Sequence, residues 1–380
     1  MALASTTETE LRWSAPRSTG DTRVPAHVIG VEAQIARMNQ LVNGEWRTDT
    51  YEATDEEGAF QRGETTFRNW IAGSDVPDHV DAEPDERFQP EAGRYHLYVS
   101  YACPWAHRTL LARSLLGLED AIGVSVVDPY RGEDGWQFTP EKDGCTRDHL
   151  HDSDYLRELY VEDDPDATCR VTVPVLWDTE EETVVNNESR EILRMLSTAF
   201  SDLGNGVSLL PDADDDATVA AVDAVITDIY EPINNGVYRA GFATSQSAYD
   251  DAIDDLFDAL DGYDDRLADQ RYLVGDSLTE ADICMFTTLI RFDQVYHTHF
   301  MCNRKFIHQY DNLWPYLRDL YQTEGVTETV NMEHIKEHYY TTHPDVTPSG
   351  IIARGPDLDF EATHDRDRLG GEAPTPHAAD

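Results

Sequence analysis

The sequence predicts an α/β domain followed by an all-helical domain, within a chain of 380 residues. Two observations carry the prediction. Between residues 91 and 205, short apolar stretches with two-residue alternation are interleaved with stretches of helical spacing. Between residues 215 and 340, helical spacing alone is found. The flanks are polar: residues 1–90 indicate an extended N-terminal segment, and residues 341–380 a C-terminal extension with a disordered tail.

The order of the elements narrows the α/β part to one topology. A strand begins at Arg94, and after it come a helix and a second strand, with the sequences RYHLYVSY, PWAHRTLLARSLLGL and IGVSVVDP. A polar insertion separates these from two strands and a helix, TVPVLWD, TVVNN and ESREILRMLSTAF. The order β-α-β followed by β-β-α is typical of a thioredoxin-like sheet, in which a hairpin follows a parallel pair.

Four later stretches have helical spacing and no strand alternation: residues 217–231, 245–269, 279–298 and 311–323. The third stretch has a clear start signal, because Ser277 or Thr279 can cap it and Asp282 can bind back near its beginning. The all-helical assignment of the second domain rests on these four stretches.

Acidic residues dominate the charge of the chain. It has 74 acidic and 29 basic residues, a formal net charge of −45, and the acids are spread along its whole length. Such a surface repels nucleic acid and anionic lipid, and it suits a cell whose salt shortens the screening length to about 3 Å at 1 M. No apolar run approaches the ~20 residues of a membrane span. We therefore expect the cytoplasm of an extreme halophile, with no nucleic-acid or membrane partner; an ordinary acidic protein is the alternative.

Five scattered cysteines predict free thiols in a reducing compartment, and one of them stands out. Cys103 follows a strand and precedes Pro104, a residue suited to the first position of a helix. Free N–H groups and the helix dipole at that position favour a thiolate, with a pKa of roughly 3.5 to 7.5. Residue 106 is alanine, so a mixed disulfide at Cys103 must wait for an outside thiol. A buried, inert cysteine is the alternative.

Two further motifs suit a bound thiol peptide. Pro174, inside a strand, lies at a sheet edge or follows a cis bond. In thioredoxin-like folds such a cis proline leaves the backbone of the preceding residue, here Val173, free to pair with a peptide. Glu188 and Ser189 begin a helix, where a hydroxyl, N–H groups and a carboxylate can hold the amino-acid end of a γ-glutamyl thiol. Both residue types are also common helix caps.

Several long segments resemble the glutathionyl-hydroquinone reductases, the xi class of glutathione transferases. They include FQRGETTFRNWI, YVSYACPWAHRTL, INNGVYRAGFATSQSAYD and the stretch from HTHFMCNRKF to HPDVTPSGI. The resemblance implies glutathione transferase architecture and a homodimer. It also implies that Cys103 attacks the sulfur of a glutathionyl-hydroquinone, releases the hydroquinone, and holds the peptide as a mixed disulfide until a second thiol resolves it.

The same resemblance suggests roles for other residues. Trp136 would pack over the thiol peptide, Val173 would pair with it, and Glu188 and Ser189 would hold its γ-glutamyl end. The quinol pocket would be lined by Tyr238, Tyr296 and one of Tyr339 or Tyr340, of which we select Tyr340. Surface packing for Trp136 and ordinary burial for the tyrosines are the alternatives. His107 fits helix packing better than stabilisation of the thiolate.

The thiol co-substrate is glutathione or γ-glutamylcysteine, because the grip recognises only the end that both share. Halophilic archaea are expected to use γ-glutamylcysteine. We predict no metal: HIKEH at residues 334–338 fits an inverted zinc-peptidase pattern, but a third ligand is not evident. The alternative activity is an omega-like thioltransferase or dehydroascorbate reductase, and a thiol-binding protein without activity is a third possibility. We also expect salt to raise the reactivity of Cys103 by screening the acidic surface.

Overall fold

The structure, a computed structural model, describes residues 37–77, 79–210, 216–371, 373 and 374. Residues 1–36 and the acidic linker at 211–215 therefore lie outside the described residues. None of the helices in the described ranges is long and apolar enough to cross a membrane.

The described part of the N-terminal segment packs along the α/β part. Strands β1 (Arg37–Val42) and β2 (Glu45–Glu52) form a hairpin, and β3 (Trp70–Ile71) pairs in parallel with β4 (Pro84–Asp85). The hairpin turn requires Gly44, whose φ is +73° and whose Cβ would lie 1.9 Å from the carbonyl oxygen of Pro165.

A four-stranded sheet follows, and its order is β6-β5-β7-β8. Its strands are β5 (Tyr95–Val99), β6 (Ile122–Val126), β7 (Val175–Asp178) and β8 (Thr183–Asn186). Strand β5 pairs in parallel with β6 and antiparallel with β7, and β7 and β8 form the predicted hairpin.

Three helices accompany the sheet: α1 (Pro104–Leu115), α2 (Leu156–Asp163) and α3 (Ser189–Thr198). Helix α1 connects the two parallel strands, α2 lies in the polar insertion, and α3 follows the hairpin. The thioredoxin-like arrangement predicted from the element order is confirmed.

The second part is helical throughout its described residues. Its helices are α4 (Asp216–Ile229), α5 (Gly236–Gly241), α6 (Gln246–Arg266), α7 (Glu280–Arg291), α8 (His297–His299), α9 (Leu313–Tyr321) and α10 (Met332–Thr342). Helix α7 starts as predicted, because the backbone N–H of Thr279 donates to Asp282 over 2.9 Å. The fold class, an α/β domain followed by helices, is confirmed.

Two π-helical segments interrupt this helical part, Tyr230–Asn234 after α4 and Phe292–Tyr296 after α7. In each, a backbone N–H donates to the carbonyl five residues earlier: Asn235 to Tyr230, and His297 to Phe292. Such segments insert one residue into a helix and are frequent at functional sites.

The structure differs from the expectation of a disordered end over residues 357–371. The ring of Phe360 packs 5.1 Å from that of Tyr321, and Arg366 has no exposed surface. Arg366 donates to the backbone carbonyls of Leu267 and Arg271. One aromatic ring and one arginine thus anchor a segment whose acidic composition suggested disorder.

Candidate active site

The lone cysteine and the strand proline meet where α1 begins. Cys103 directly precedes this helix, with an extended backbone (φ −77°, ψ 121°) and Pro104 as the first helical residue. Its thiol donates to the carbonyl oxygen of Val173, 3.6 Å from the sulfur. The peptide bond between Val173 and Pro174 is cis, one of the two predicted alternatives. The structure therefore brings these predicted site residues together.

The electrostatic setting of Cys103 differs from the expectation. Burial raises the pKa of the Cys103 thiol above its ordinary value. Backbone N–H groups of Ala106 and Trp105 and the charges of Arg291 and Arg62 act in the opposite direction. The helix N-terminus therefore works as predicted, but desolvation by the chain packed around it outweighs its effect.

The two candidate tyrosines on α10, Tyr339 and Tyr340, have different hydroxyl partners. The Tyr339 hydroxyl lies 2.6 Å from that of Tyr238 and 2.9 Å from that of Tyr296. We call these three residues the tyrosine cluster. Tyr340 instead donates to the carbonyl oxygen of Gln294 at 3.3 Å. Neighbouring residues on a helix point about 100° apart, so the two hydroxyls have different partners, and the place of Tyr340 in the quinol pocket stays a prediction.

All three side chains of the tyrosine cluster are buried, and Tyr238 interacts electrostatically with the Cys103 thiol. Burial raises the pKa of Tyr238, Tyr296 and Tyr339, and a charge on Cys103 would raise that of Tyr238 further. The three hydroxyls therefore keep their protons at neutral pH and can donate them. Tyr238 follows the first π-helical segment, and Tyr296 ends the second.

An arginine from the N-terminal segment covers this cluster. The guanidinium of Arg62 lies over the rings of Phe60, Trp105 and Tyr238, at 5.3, 4.8 and 4.7 Å from their centroids. Its Nε donates to Asn235 at 2.8 Å. Sequence reasoning missed Arg62 as a site residue, although it stands in the family-like segment FQRGETTFRNWI.

Trp136 is buried rather than a surface residue, with 5% of its area exposed. Its indole stacks on the imidazole of His338, with centroids 5.3 Å apart and planes 18° apart. The guanidinium of Arg131 lies 5.8 Å from the indole. The expected position of Trp136 over a thiol peptide remains a prediction.

The predicted γ-glutamyl grip borders an open cavity of about 520 Å³. Glu188 precedes α3 and accepts from the backbone N–H of Arg190 at 3.3 Å. The hydroxyl of Ser189 accepts from Arg108 at 3.4 Å. Glu188 and Arg108 both line the cavity, so a carboxylate and a guanidinium face one space. Such a pair can bind the ammonium and carboxylate of an amino acid.

The zinc-like motif is engaged in structural contacts. His334 Nε2 lies 2.7 Å from the carbonyl oxygen of Asp143, and His338 Nδ1 lies 2.6 Å from that of Pro129. Carbonyl oxygens only accept, so each of these ring nitrogens carries its hydrogen and cannot ligate a metal. Glu337 pairs with Lys142. In the described ranges, no group of three side chains is arranged to hold a metal ion.

Two family descriptions match the chain in the order that the architecture requires. Residues 102–199 match "Glutathione S-transferase, N-terminal domain", and residues 246–319 match "Glutathione S-transferase, C-terminal domain". A solved structure described as a xi class GST, from the halophile Natrialba magadii, is 66% identical with a TM-score of 0.80. The match covers 90% of this chain and all of that one.

This chain belongs to the xi-class glutathione transferases. Within the family it is similar to the glutathionyl-hydroquinone reductase YqjG of Escherichia coli, at 47% identity over 87% of this chain and 99% of that protein. A glutathione-bound structure of YqjG matches this chain with a TM-score of 0.76 and 45% sequence identity. The match covers 86% of this chain and 99% of the YqjG chain. A glutathione S-transferase omega-like 2 of Schizosaccharomyces pombe is 42% identical over 80% of this chain and 95% of that protein. The resemblance inferred from the sequence is confirmed.

Proposed function

We propose that this xi-class transferase is a glutathionyl-hydroquinone reductase. The observation that carries the proposal is a single thiol, without a second cysteine at residue 106, that acts electrostatically on Tyr238, one of three tyrosines joined by hydrogen bonds through Tyr339. A lone thiol can form and then surrender a mixed disulfide. Protonated phenols can supply the proton that a released aromatic ring requires. The activity named for the Escherichia coli relative requires both steps.

The reaction runs in two halves. The Cys103 sulfur attacks the sulfur of the thioether and forms a disulfide bond with it. The bond from that sulfur to the aromatic carbon breaks, and the carbon receives a proton from a tyrosine of the tyrosine cluster. A second thiol, as thiolate, attacks the mixed disulfide and restores Cys103. Overall, the thioether sulfur and the sulfur of the second thiol are oxidised to one disulfide, and their two electrons reduce the aromatic carbon, which exchanges its bond to sulfur for one to hydrogen.

The remaining site residues would bind the thiol peptide. Glu188 would hold the ammonium of its γ-glutamyl end, while Ser189 and Arg108 would hold the carboxylate. Val173 would pair with the peptide backbone, next to Pro174, and Trp136 would cover it. Glutathione or γ-glutamylcysteine satisfies these contacts, since the two differ only at the far end. We also propose that the protein is a homodimer in a salt-rich cytoplasm. Light scattering in molar salt tests the homodimer.

A thioltransferase or dehydroascorbate reductase is the second candidate. The omega-like relative supports it, and the thiol beside the cis proline would serve either reaction. The tyrosine cluster favours the quinol reaction, because exchange between disulfides has no aromatic leaving group to protonate.

A turnover assay in molar salt tests the proposal. It uses a glutathionyl-hydroquinone with glutathione or γ-glutamylcysteine, and compares wild type with Cys103→Ser. We expect that only the wild type releases hydroquinone. Mass spectrometry should detect the mixed disulfide between its Cys103 and the thiol released from the conjugate. A folded protein that alkylates at Cys103 but releases no hydroquinone with either thiol would refute the quinol activity.

A further inference from the structure

Arg291 connects the helical part to the loop that carries the thiol. It is the last residue of α7, and none of its surface is exposed. Its guanidinium donates to the carbonyl oxygens of Tyr101 at 2.9 Å and Ala102 at 3.0 Å. These are the two residues immediately before Cys103, so two nitrogens of one rigid group hold the loop.

The same guanidinium determines the state of His107. One nitrogen of Arg291 lies 3.0 Å from His107 Nδ1. A guanidinium can only donate, so Nδ1 accepts and the imidazole proton is on Nε2, which lies 2.8 Å from the Thr329 hydroxyl. Burial, together with the charge of Arg291, holds the pKa of His107 well below its ordinary value. His107 is therefore neutral, and it cannot act as the base for Cys103.

Arg291 has no counter-ion among the described residues. Its hydrogen bonds go to backbone carbonyls and an imidazole, and no described carboxylate lies within the 4.0 Å of an ion pair. Two other buried arginines are paired, Arg194 with Glu280 at 2.9 Å and Arg271 with Asp319 at 2.8 Å, whereas Arg366, like Arg291, donates to backbone carbonyls. A buried charge that is left uncompensated is strongly unfavourable. The charge of Arg291 acts on the Cys103 thiol and on the hydroxyls of Tyr296 and Tyr339, and of these acids the thiol has the lowest ordinary pKa, so it is the one that can become an anion.

We propose that Arg291 is a positioning residue for the nucleophile: it fixes the loop before Cys103, and its charge is neutralised by the thiolate. The inference rests on Cys103 being the nucleophile of the proposed function, whichever substrate it attacks. Besides Arg291, the groups that face Cys103 are Arg62 from the N-terminal segment, Arg131 from the loop after β6, and Tyr238 from α5. These groups are cationic or neutral, so Arg291 acts in a setting without an opposing carboxylate.

The test is the pH profile of Cys103 alkylation by iodoacetamide, a neutral reagent, read by mass spectrometry of the peptide that contains Cys103. Arg291→Met removes the charge and the donors, and Arg291→Lys retains the charge. Arg271→Met is the control, because that arginine is also buried but is paired with Asp319. We expect Arg291→Met to raise the apparent pKa by about one unit, a tenfold loss of thiolate at neutral pH. Arg291→Lys should keep the pKa of Cys103 close to its wild-type value, and Arg271→Met should leave it unchanged.

Each result decides the inference. An unchanged pKa in a folded Arg291→Met protein would overturn it, as would an equal shift in Arg271→Met. Should Arg291→Met fail to fold, Arg291→Lys decides: we expect a wild-type pKa with about a tenfold lower kcat, because the single nitrogen of lysine lacks the fixed, planar pair of nitrogens that holds both carbonyls. A wild-type kcat in that variant would overturn the positioning role. The alkylation assay uses no quinol, so it can support Arg291 even if the proposed function fails.

Discussion

Arginines in two regions of this molecule differ in their partners, with one exception away from the thiol, Arg366, which is buried against backbone carbonyls. Away from the thiol, Arg94 pairs with Asp178, Arg194 with Glu280 and Arg271 with Asp319, all over 2.7 to 2.9 Å. Around the thiol, Arg62, Arg131 and Arg291 have no carboxylate within ion-pair distance in the described part of the chain. In a chain with 74 acidic residues, this exclusion of carboxylates marks the region where a negative charge must form during the reaction.

The largest effect should come from breaking a paired arginine. Arg271→Met removes both hydrogen bonds of that guanidinium to the buried Asp319 and leaves only His364, 3.5 Å away, among its described ion-pair partners, so we expect the free energy of unfolding to fall by about 3 kcal/mol. Urea denaturation in molar salt measures this change. Arg368→Gln, which breaks an exposed pair with Asp365, should change it by less than ~1 kcal/mol. Equal losses for both variants would show that the buried ion pair contributes no more to stability than the exposed one.

The next effect lies within the carboxylate-free region. Tyr339→Phe removes the hydroxyl that contacts both Tyr238 and Tyr296, and general acid catalysis is worth roughly 10²-fold or more. We expect kcat for hydroquinone release to fall by about that factor, with little change in stability. Tyr340→Phe is the matched control on the adjacent residue and should stay within about twofold, since its hydroxyl contacts the Gln294 carbonyl and Thr298 and neither of the two hydroxyls that Tyr339 contacts. A larger loss in Tyr340→Phe than in Tyr339→Phe would contradict the assignment.

The next prediction concerns the pH dependence of stability, to which the buried His299 contributes. Burial lowers the pKa of His299 to about 4, and its ring nitrogens contact Thr347 and His343. The unfolded chain takes up this proton near pH 6.5, so the stabilisation is complete above that pH and is lost as the pH falls to about 4. Replacing His299 with Gln should reduce the slope of unfolding free energy in that window by about 1.4 kcal/mol per pH unit. An unchanged slope would show that His299 is protonated in the folded protein.

The smallest effect concerns salt. Molar salt screens the acidic surface over about 3 Å, but it screens the buried arginines near Cys103 much less. Cys103 alkylation should therefore rise about two- to threefold between low and molar salt, measured only where circular dichroism shows full folding. A flat rate would mean that the local arginines, and not the surface, control the thiol.

Much of the fold could be predicted because the signals are local. The strand RYHLYVSY, Pro104 after Cys103 and the alternation in TVPVLWD each involve fewer than ten neighbouring residues, and the structure places all of them as expected. The order of these motifs along the chain was enough to indicate the thioredoxin-like sheet.

Sequence reasoning fell short where distant segments meet. The pKa of Cys103 was expected to fall because of its helix, but burial by other elements raises it. Tyr339 and Tyr340 are indistinguishable as letters, and only the helix register separates them. Arg291 was missed because it is 188 residues away from Cys103. A signal for it does exist: it is a charged residue in the apolar stretch FTTLIRF, where an arginine requires a buried partner.

The two π-helical segments also have an evolutionary consequence. Each contains one residue more than an α-helical path would use, and each lies directly before or within the region that holds Tyr238 and Tyr296. Deleting one residue from such a segment can restore a regular helix while rotating the side chains around it by about 100°. A single codon lost at either place would thus exchange the aromatic lining of the pocket while the scaffold persisted. Related enzymes with other acceptors can be sought among sequences that are one residue shorter there.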